Sequence, residues 1–512
     1  MSAPEPVAEP RRRLSWLRIL LVLVVAGGAI AAPFALRTVR HKLGAAVQAS
    51  SFAPYVDVTA TPQYAFEDPA VSSAGSVVLG FVVSSTSVAC QPSWGTFYSL
   101  STAATGIDLD RRIARLRQRG GEVTVSFGGA SNSELAAACT DETKLAAAYQ
   151  SVIDHYSLTS VDFDIEDAGA SSAVAVRRAT AMRAVQQAEA AAGRQLSVWL
   201  TLPVGPSGLT SAGITVLNAM LAAKVSIAGV NALIMDYGTS GSGRSMASLN
   251  ESALTALAGQ VATAYATVGT VLTTESRWRH VAATPMIGQN DTADERFELS
   301  DAQALLTFAR EHQLRQLSMW SANRDKSCGV NYADTTVVSD SCSGISQSKS
   351  AFGTLFNTFT DDPAASVSAS ASAPTSVAAS ATAASDDPST SPYPIWSALT
   401  AYAKNSKVVW HHNVYLAKWW TEKDTPDSPV TTESDTPWTL VGPVLAGETP
   451  VATAIASAGA YATWIPTHTY VSGDRVQYQG VAYQAKWWTV GDQPGAEVSD
   501  ASDTPWEALS TS

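Results

Sequence analysis

The chain has 512 residues, with 33 Lys and Arg against 45 Asp and Glu, a net charge of −12 and 46% hydrophobic residues. At about 100–200 residues per domain this length holds two to four domains, so a peptide-sized or purely disordered protein is excluded. The negative field repels polyphosphate, and no nucleic-acid partner is expected.

Arg11-Arg12-Arg13 and Arg18 precede an uncharged run from Ile19 to Leu36, which Arg37, Arg40 and Lys42 follow. Residues 1–44 read as an export element: a signal anchor through residues 14–36, or a signal peptide cut after a small-x-small site for which Ala29-Ile30-Ala31 could serve. The run approaches the roughly 20 residues that cross a bilayer, which favours the anchor. Either way the remaining chain is expected outside the cytoplasm, secreted or held at the membrane. The four cysteines fit no metal-binding spacing. Behind an export signal their even number suggests two disulfides, paired by proximity as Cys90 with Cys139 and Cys328 with Cys342.

From residue 52 to 360, short β-branched runs alternate with Ala-rich amphipathic stretches. Eight strands are expected near residues 55–61, 76–84, 122–128, 160–166, 195–203, 230–237, 281–288 and 316–321. Helical stretches between them include 109–119, 141–156, 173–192 and 300–311. Eight βα units fit a closed α/β barrel of the (β/α)8 TIM type better than an open doubly wound sheet, and place catalytic residues at the C-terminal ends of strands. No glycine-rich phosphate loop follows the early strands, so neither a nucleotide nor any other cofactor is expected, and no metal.

In Ser160-Val161-Asp162-Phe163-Asp164-Ile165-Glu166 the strand period of two puts all three acids on one face and Phe163 and Ile165 on the other. If the apolar face packs on helices, the acids face the barrel interior, where unpaired charge is costly and one carboxyl should keep a proton. An exposed edge strand carrying three solvated acids is the plainer alternative. A calcium loop fits poorly, because the EF-hand order of ligands is absent.

Residues 361–391, dominated by Ala and Ser, form a linker that cannot build a core. Beyond it a motif repeats at an offset of 68. Trp396, Tyr402, Ala417-Lys418-Trp419-Trp420 and Ser434-Asp435-Thr436-Pro437-Trp438 recur as Trp464, Tyr470, Ala485-Lys486-Trp487-Trp488 and Ser502-Asp503-Thr504-Pro505-Trp506. Two small all-β domains are expected, at 392–443 and 461–509, joined by 444–460. At this size some of the aromatics must build the cores.

These residues carry a resemblance. Asp162-x-Asp164-x-Glu166 resembles the end of the DxxDxDxE strand signature of glycoside hydrolase family 18, although Thr159 replaces its first Asp. Ser126-Phe127-Gly128-Gly129 is similar to the family's SxGG motif, Met235-Asp236-Tyr237 to its strand-six segment, and residues 285–291 to strand seven of bacterial members; Trp320 stands where strand eight supplies an aromatic floor. The resemblance implies a chitinase that hydrolyses β-1,4-linked N-acetylglucosamine with retention, through substrate assistance. It implies Glu166 as general acid and base, Asp164 as the group orienting the acetamide, and Asp162 as its proton-sharing neighbour. Tyr237 would bond the acetamide oxygen and Trp320 would stack under the sugar, with Met235, Asp236 and Gln289 as further substrate contacts. The C-terminal copies resemble carbohydrate-binding modules of families 5 and 12, which implies that Trp419, Trp420, Trp487 and Trp488 supply chitin-binding rings. Adjacent Trp residues on a strand should face opposite ways, so at least one of each pair should face solvent. The expected partner is chitin or chito-oligosaccharide, bound by a monomer. An endo-β-N-acetylglucosaminidase acting on glycoprotein glycans and a non-catalytic chitin-binding lectin are the alternatives.

Overall fold

The computed structural model describes residues 50–238, 243–332, 334, 337–359, 386–430, 432–450, 461–478, 481–496 and 504–508. The N-terminal segment 1–44, most of 361–391 and residues 451–460 of the second linker lie outside the described residues. Among those described, no helix is long and apolar enough to cross a membrane.

Eight parallel strands form in the expected places: β1 (Tyr55–Asp57), β2 (Ser76–Ser84), β3 (Glu122–Gly128), β4 (Ser160–Asp164), β5 (Ser197–Gly205), β6 (Ile227–Leu233), β7 (Val281–Thr284) and β8 (Gln316–Leu317). Each pairs with the next. The ring closes because residues 51–57 serve both edges: Ser51–Phe52 pairs with β8, and β1, two residues later, pairs with β2. Closure leaves no unpaired sheet edge in the ring. Around it run α1 (Leu109–Gln118), α2 (Glu142–His155), α3 (Ser172–Ala191), α4 (Ser211–Ala222), α5 (Met246–Thr267), α6 (Leu299–His312) and α7 (Ala351–Phe356).

The first unit departs from the expected eight, since residues 58–75 between β1 and β2 form turns and no helix. Pro62 and Pro69 interrupt any helical ladder there. Phe66, fully buried, fills the helix's place, and Arg112 of α1 lies 4.6 Å above its ring and bonds Glu67 at 3.0 Å. Both disulfides join the cysteines paired by proximity, Cys90 with Cys139 and Cys328 with Cys342.

The two C-terminal copies fold alike. Strands β9 (Lys407–Trp410), β10 (Asn413–Ala417) and β11 (Trp438–Pro443) correspond to β12 (Arg475–Tyr478), β13 (Val481–Ala485) and β14 (Trp506–Ala508). In each core a Trp indole donates to a backbone carbonyl, Trp438 to Asp424 at 2.8 Å and Trp506 to Asp492 at 2.7 Å. The Trp pairs differ from the strand expectation. β10 ends at Ala417 and β13 at Ala485, so each pair sits on the following bend and both rings are exposed: 44% and 51% for Trp419 and Trp420, 43% and 61% for Trp487 and Trp488.

Candidate active site

Strand β4 splits its residues as its alternation requires. Val161, Phe163 and Ile165 are buried in the layer under the helices, where the Phe163 ring stacks 5.3 Å from Phe127 and meets Tyr149 edge-on at 5.2 Å. Asp162 and Asp164 take the opposite, interior face, and both are also buried. Glu166 lies past the formal end of β4, but its backbone stays extended (φ −117°, ψ 155°), and Ile165 N–H still bonds Thr201 O of β5 at 3.0 Å.

Burial is satisfied differently at each acid. Asp162 accepts three hydroxyls: Tyr55 at 2.8 Å and Ser126 at 2.7 Å on Oδ2, and Thr201 at 2.7 Å on Oδ1. Burial still raises its pKa, and these bonds oppose the rise. Asp164 has no such cage, and its Oδ1 has no hydrogen-bond partner. Burial first, then the Glu166 and Asp162 carboxylates, hold its pKa well above the usual carboxylate range. Asp164 is therefore the acid most disposed to keep a proton, and its buried Oδ1 is left without a protein partner.

The two glycines of the SFGG segment allow this packing. Gly128 (φ 103°) lies so close to β4 that a Cβ would stand 2.1 Å from Asp164 O, and a Cβ on Gly129 (φ 84°) would stand 2.8 Å from the Phe81 ring. Gly129 N–H donates to Asp164 O at 2.9 Å. Gly128→Ala is expected to combine strained backbone, about 1–3 kcal/mol, with a backbone collision. A lowered thermal midpoint together with lost activity is the expected readout.

Behind the acids, Arg178 of α3, fully buried, donates to Glu134 at 2.8 Å and to Gly169 O at 2.9 Å, and Tyr149 donates to the other Glu134 oxygen at 2.7 Å. This ion pair ties the turn that follows Glu166 to the barrel wall.

Asp164 and Glu166 open into a cleft of about 510 Å³ at the C-terminal end of the strands. Trp320 and Phe81 form an aromatic surface there, stacked 5.5 Å apart, with Tyr55 packed on both. Met235, Asp236, Met286, Asp291 and Asp340 line the rest. Burial, with Asp236 nearby, pushes the Asp291 carboxyl up. Among the described residues, no group of three or more His, Cys, Asp or Glu is placed to hold a metal ion.

Of the residues singled out in the sequence, Asp164, Glu166, Met235, Asp236 and Trp320 meet at this cleft, with Asp162 directly beneath. Two do not. Tyr237 is 6% exposed and does not line the cleft; its hydroxyl donates to Asn250 of α5 at 2.8 Å, and its backbone N–H to Glu295 at 2.9 Å. Gln289 is buried with its amide donating to backbone carbonyls of Asn290, Ala293 and Glu295 and its oxygen accepting from Arg296, so it shapes a loop rather than a subsite. Sequence reasoning missed Tyr55, Thr201, Phe81, Asp291 and Asp340. Asp291 falls in the segment 285–291 singled out above, and Tyr55, Phe81 and Thr201 in expected strands, but no local pattern marks them as site residues.

Residues 463–507 match the carbohydrate-binding module family 5/12. Over 298 residues the chain is 33% identical to a protein of Escherichia coli (strain K12) named "Probable bifunctional chitinase/lysozyme", covering 55% of this chain and 31% of that protein. Over 290 residues it is 32% identical to "Endochitinase 11" of Metarhizium anisopliae, covering 54% of this chain and 52% of that one. The chain thus spans about half or less of the length of these relatives. The catalytic domain of a hyperthermophilic chitinase from Pyrococcus furiosus is similar in structure, with a TM-score of 0.51 and 28% identity over 60% of this chain and 93% of that chain. These likenesses and the strand order agree on an α/β barrel followed by a small β module.

Proposed function

We propose that the chain hydrolyses the β-1,4 links of chitin outside the cytoplasm, by acid and base catalysis that uses the substrate's own acetamide as nucleophile. The observation that carries this reading is the placement of Asp164 and Glu166 together at one cleft, with an aromatic surface beside them and an unpartnered Asp164 oxygen. The similarity to two chitinases over the barrel supports it.

A pyranose ring lies against Trp320, its C–H face on the flat ring. The acetamide N–H of the sugar donates to the Asp164 carboxyl at the cleft. That bond turns the acetamide carbonyl oxygen toward the anomeric carbon and disperses the positive charge that develops as the ring closes. Glu166 gives its proton to the glycosidic oxygen, the C–O bond breaks, and the carboxylate so formed takes a proton from the water that reopens the oxazolinium. Two displacements at one carbon retain its configuration. Asp162, caged by three hydroxyls, is a positioning residue: it holds a proton-sharing acid beneath Asp164 without touching sugar. Tyr237 acts at a remove. Glu295 accepts its N–H and that of Gly238, and so fixes the turn that presents Met235 and Asp236.

Both C-terminal copies serve as chitin-binding modules in this reading, the first by its identical Lys-Trp-Trp bend and its matching fold. Two modules on one chain gain avidity only on a polymer that offers many sites. Replacing Trp419 and Trp420 with Ala, or Trp487 and Trp488, should lower retention on insoluble chitin in part. Replacing all four should abolish it, as a pull-down measures. That duplication favours chitin over a glycoprotein glycan. Incubating the chain side by side with colloidal chitin and with an N-glycosylated glycoprotein tests the substrate: soluble chito-oligosaccharides from the first support the proposal, and glycan release from the second alone refutes it.

A further inference from the structure

The first C-terminal copy is seated on the barrel. Its strand β11 lies against α1, a helix of the outer ring. Arg111 donates to Pro443 O and pairs with Glu448, with Nη1 3.1 Å from Oε2; Arg115 donates to Leu440 O. Lys407 of β9 pairs with Asp108, the residue before α1. The approach is close: a Cβ on Gly442 would stand 2.7 Å from Arg111 O. On a barrel's outer helix an arginine normally reaches solvent, yet the Arg111 side chain is only 5% exposed, an expensive burial unless the charge is paired.

The residues of the first copy that make this contact are among the positions at which the two copies differ. At the 68-residue offset Lys407 becomes Arg475, Leu440 becomes Ala508, and Gly442-Pro443 become Ser510-Thr511, while Trp396, Tyr402, Tyr415, Trp419, Trp420 and Trp438 repeat unchanged. Arg475 is engaged within its own copy, bonding Gln484 at 2.9 Å and lying over the Tyr461 ring at 5.9 Å. Both copies keep the Lys-Trp-Trp bend, and the contacts with α1 belong to the first.

We infer that the first copy is a fixed part of the catalytic body, which holds the Trp419-Trp420 surface at a constant orientation to the cleft, and that the second copy is the independent anchor. This deepens the chitin reading and rests on it for the ligand. A fixed pair of rings helps only a substrate extended enough to touch ring surface and cleft at once, so the docked face is a positioning device for insoluble polymer and idle on short soluble oligomers.

The test uses the full chain with Arg111→Glu and Arg115→Glu together. Glu448→Lys serves as a second variant, on the far side of the contact, where the barrel core is untouched. Spin labels at exposed Thr180 of α3 and exposed Lys423 of the first copy report the distance between barrel and copy. A single narrow distance in the parent, broadened in both variants and restored by Arg111→Glu combined with Glu448→Arg, supports docking. A broad distance in the parent, or a narrow one that survives charge reversal, overturns it. Hydrolysis rates then test the role: a several-fold loss on insoluble chitin with chitotetraose hydrolysis unchanged supports positioning, and equal losses on both substrates overturn it. Because the distance measurement needs no substrate, docking can stand even where the chitin reading fails.

Discussion

Glu166→Gln should lower turnover by about 10²–10⁴-fold, the usual contribution of a positioned general acid, while binding of chito-oligosaccharide stays near the parent value. The amide keeps the shape and the extended backbone that β5 secures through the Ile165 to Thr201 bond, so the cleft and its aromatic surface remain. What disappears, under the proposed mechanism, is the proton given to the leaving oxygen, which Asp162, sealed below by three hydroxyls, cannot replace. Steady-state rates on soluble oligosaccharide, set beside calorimetric binding to the same variant, separate the two quantities. Weakened binding at parent turnover would place Glu166 outside the chemistry.

Asp164→Asn should cost about 10²-fold or more in turnover, comparable to removing one preorganised electrostatic contact at the developing charge, and yet make the protein more stable at neutral pH. Burial and the Glu166 and Asp162 carboxylates raise the Asp164 pKa in the folded state. The folded chain therefore keeps a proton that the unfolded chain releases near pH 3.9. Such a group favours folding at low pH, and that contribution is lost as pH rises from the unfolded value through the folded one. Asparagine does not ionise, so the thermal midpoint of the variant should exceed that of the parent by a margin that grows as pH rises above about 4. A margin that stays constant as pH rises would contradict the raised pKa. The opposed effects on rate and stability mark a site that holds like charges together for function.

The sequence exposed those parts of the site that depend on local periodicity. The acids on alternate positions of β4 needed only the strand period, and the collision distances at Gly128 and Gly129 explain why that segment must be glycine. Contacts between distant segments left no local trace: Tyr55 reaches Asp162 across 107 residues, and nothing around Tyr55 announces it. Tyr237, taken from the likeness of Met235-Asp236-Tyr237 to the family's strand-six segment, lies beyond the end of β6 at Leu233, where no strand period governs which way a side chain points. Asp236 takes a left-handed backbone conformation (φ 51°), which breaks the period and brings Met235 and Asp236, but not Tyr237, to the cleft. Gln289, also taken from the resemblance, lies beyond the end of β7 at Thr284, after Gly288 (φ 74°) turns the chain beneath Ser343. The missing first helix was foreshadowed by Pro62 and Pro69, but Phe66 as its replacement in the core follows only from the folded packing.

Proton NMR of the first products released from chito-oligosaccharide by the parent chain tests the joint action of Asp164 and Glu166 most directly. Early reducing ends in the β configuration, decaying later to the α and β mixture, are the predicted result. Early α anomers would contradict the account, because water attacking directly from the opposite face would leave Asp164 and the acetamide with no part in the reaction.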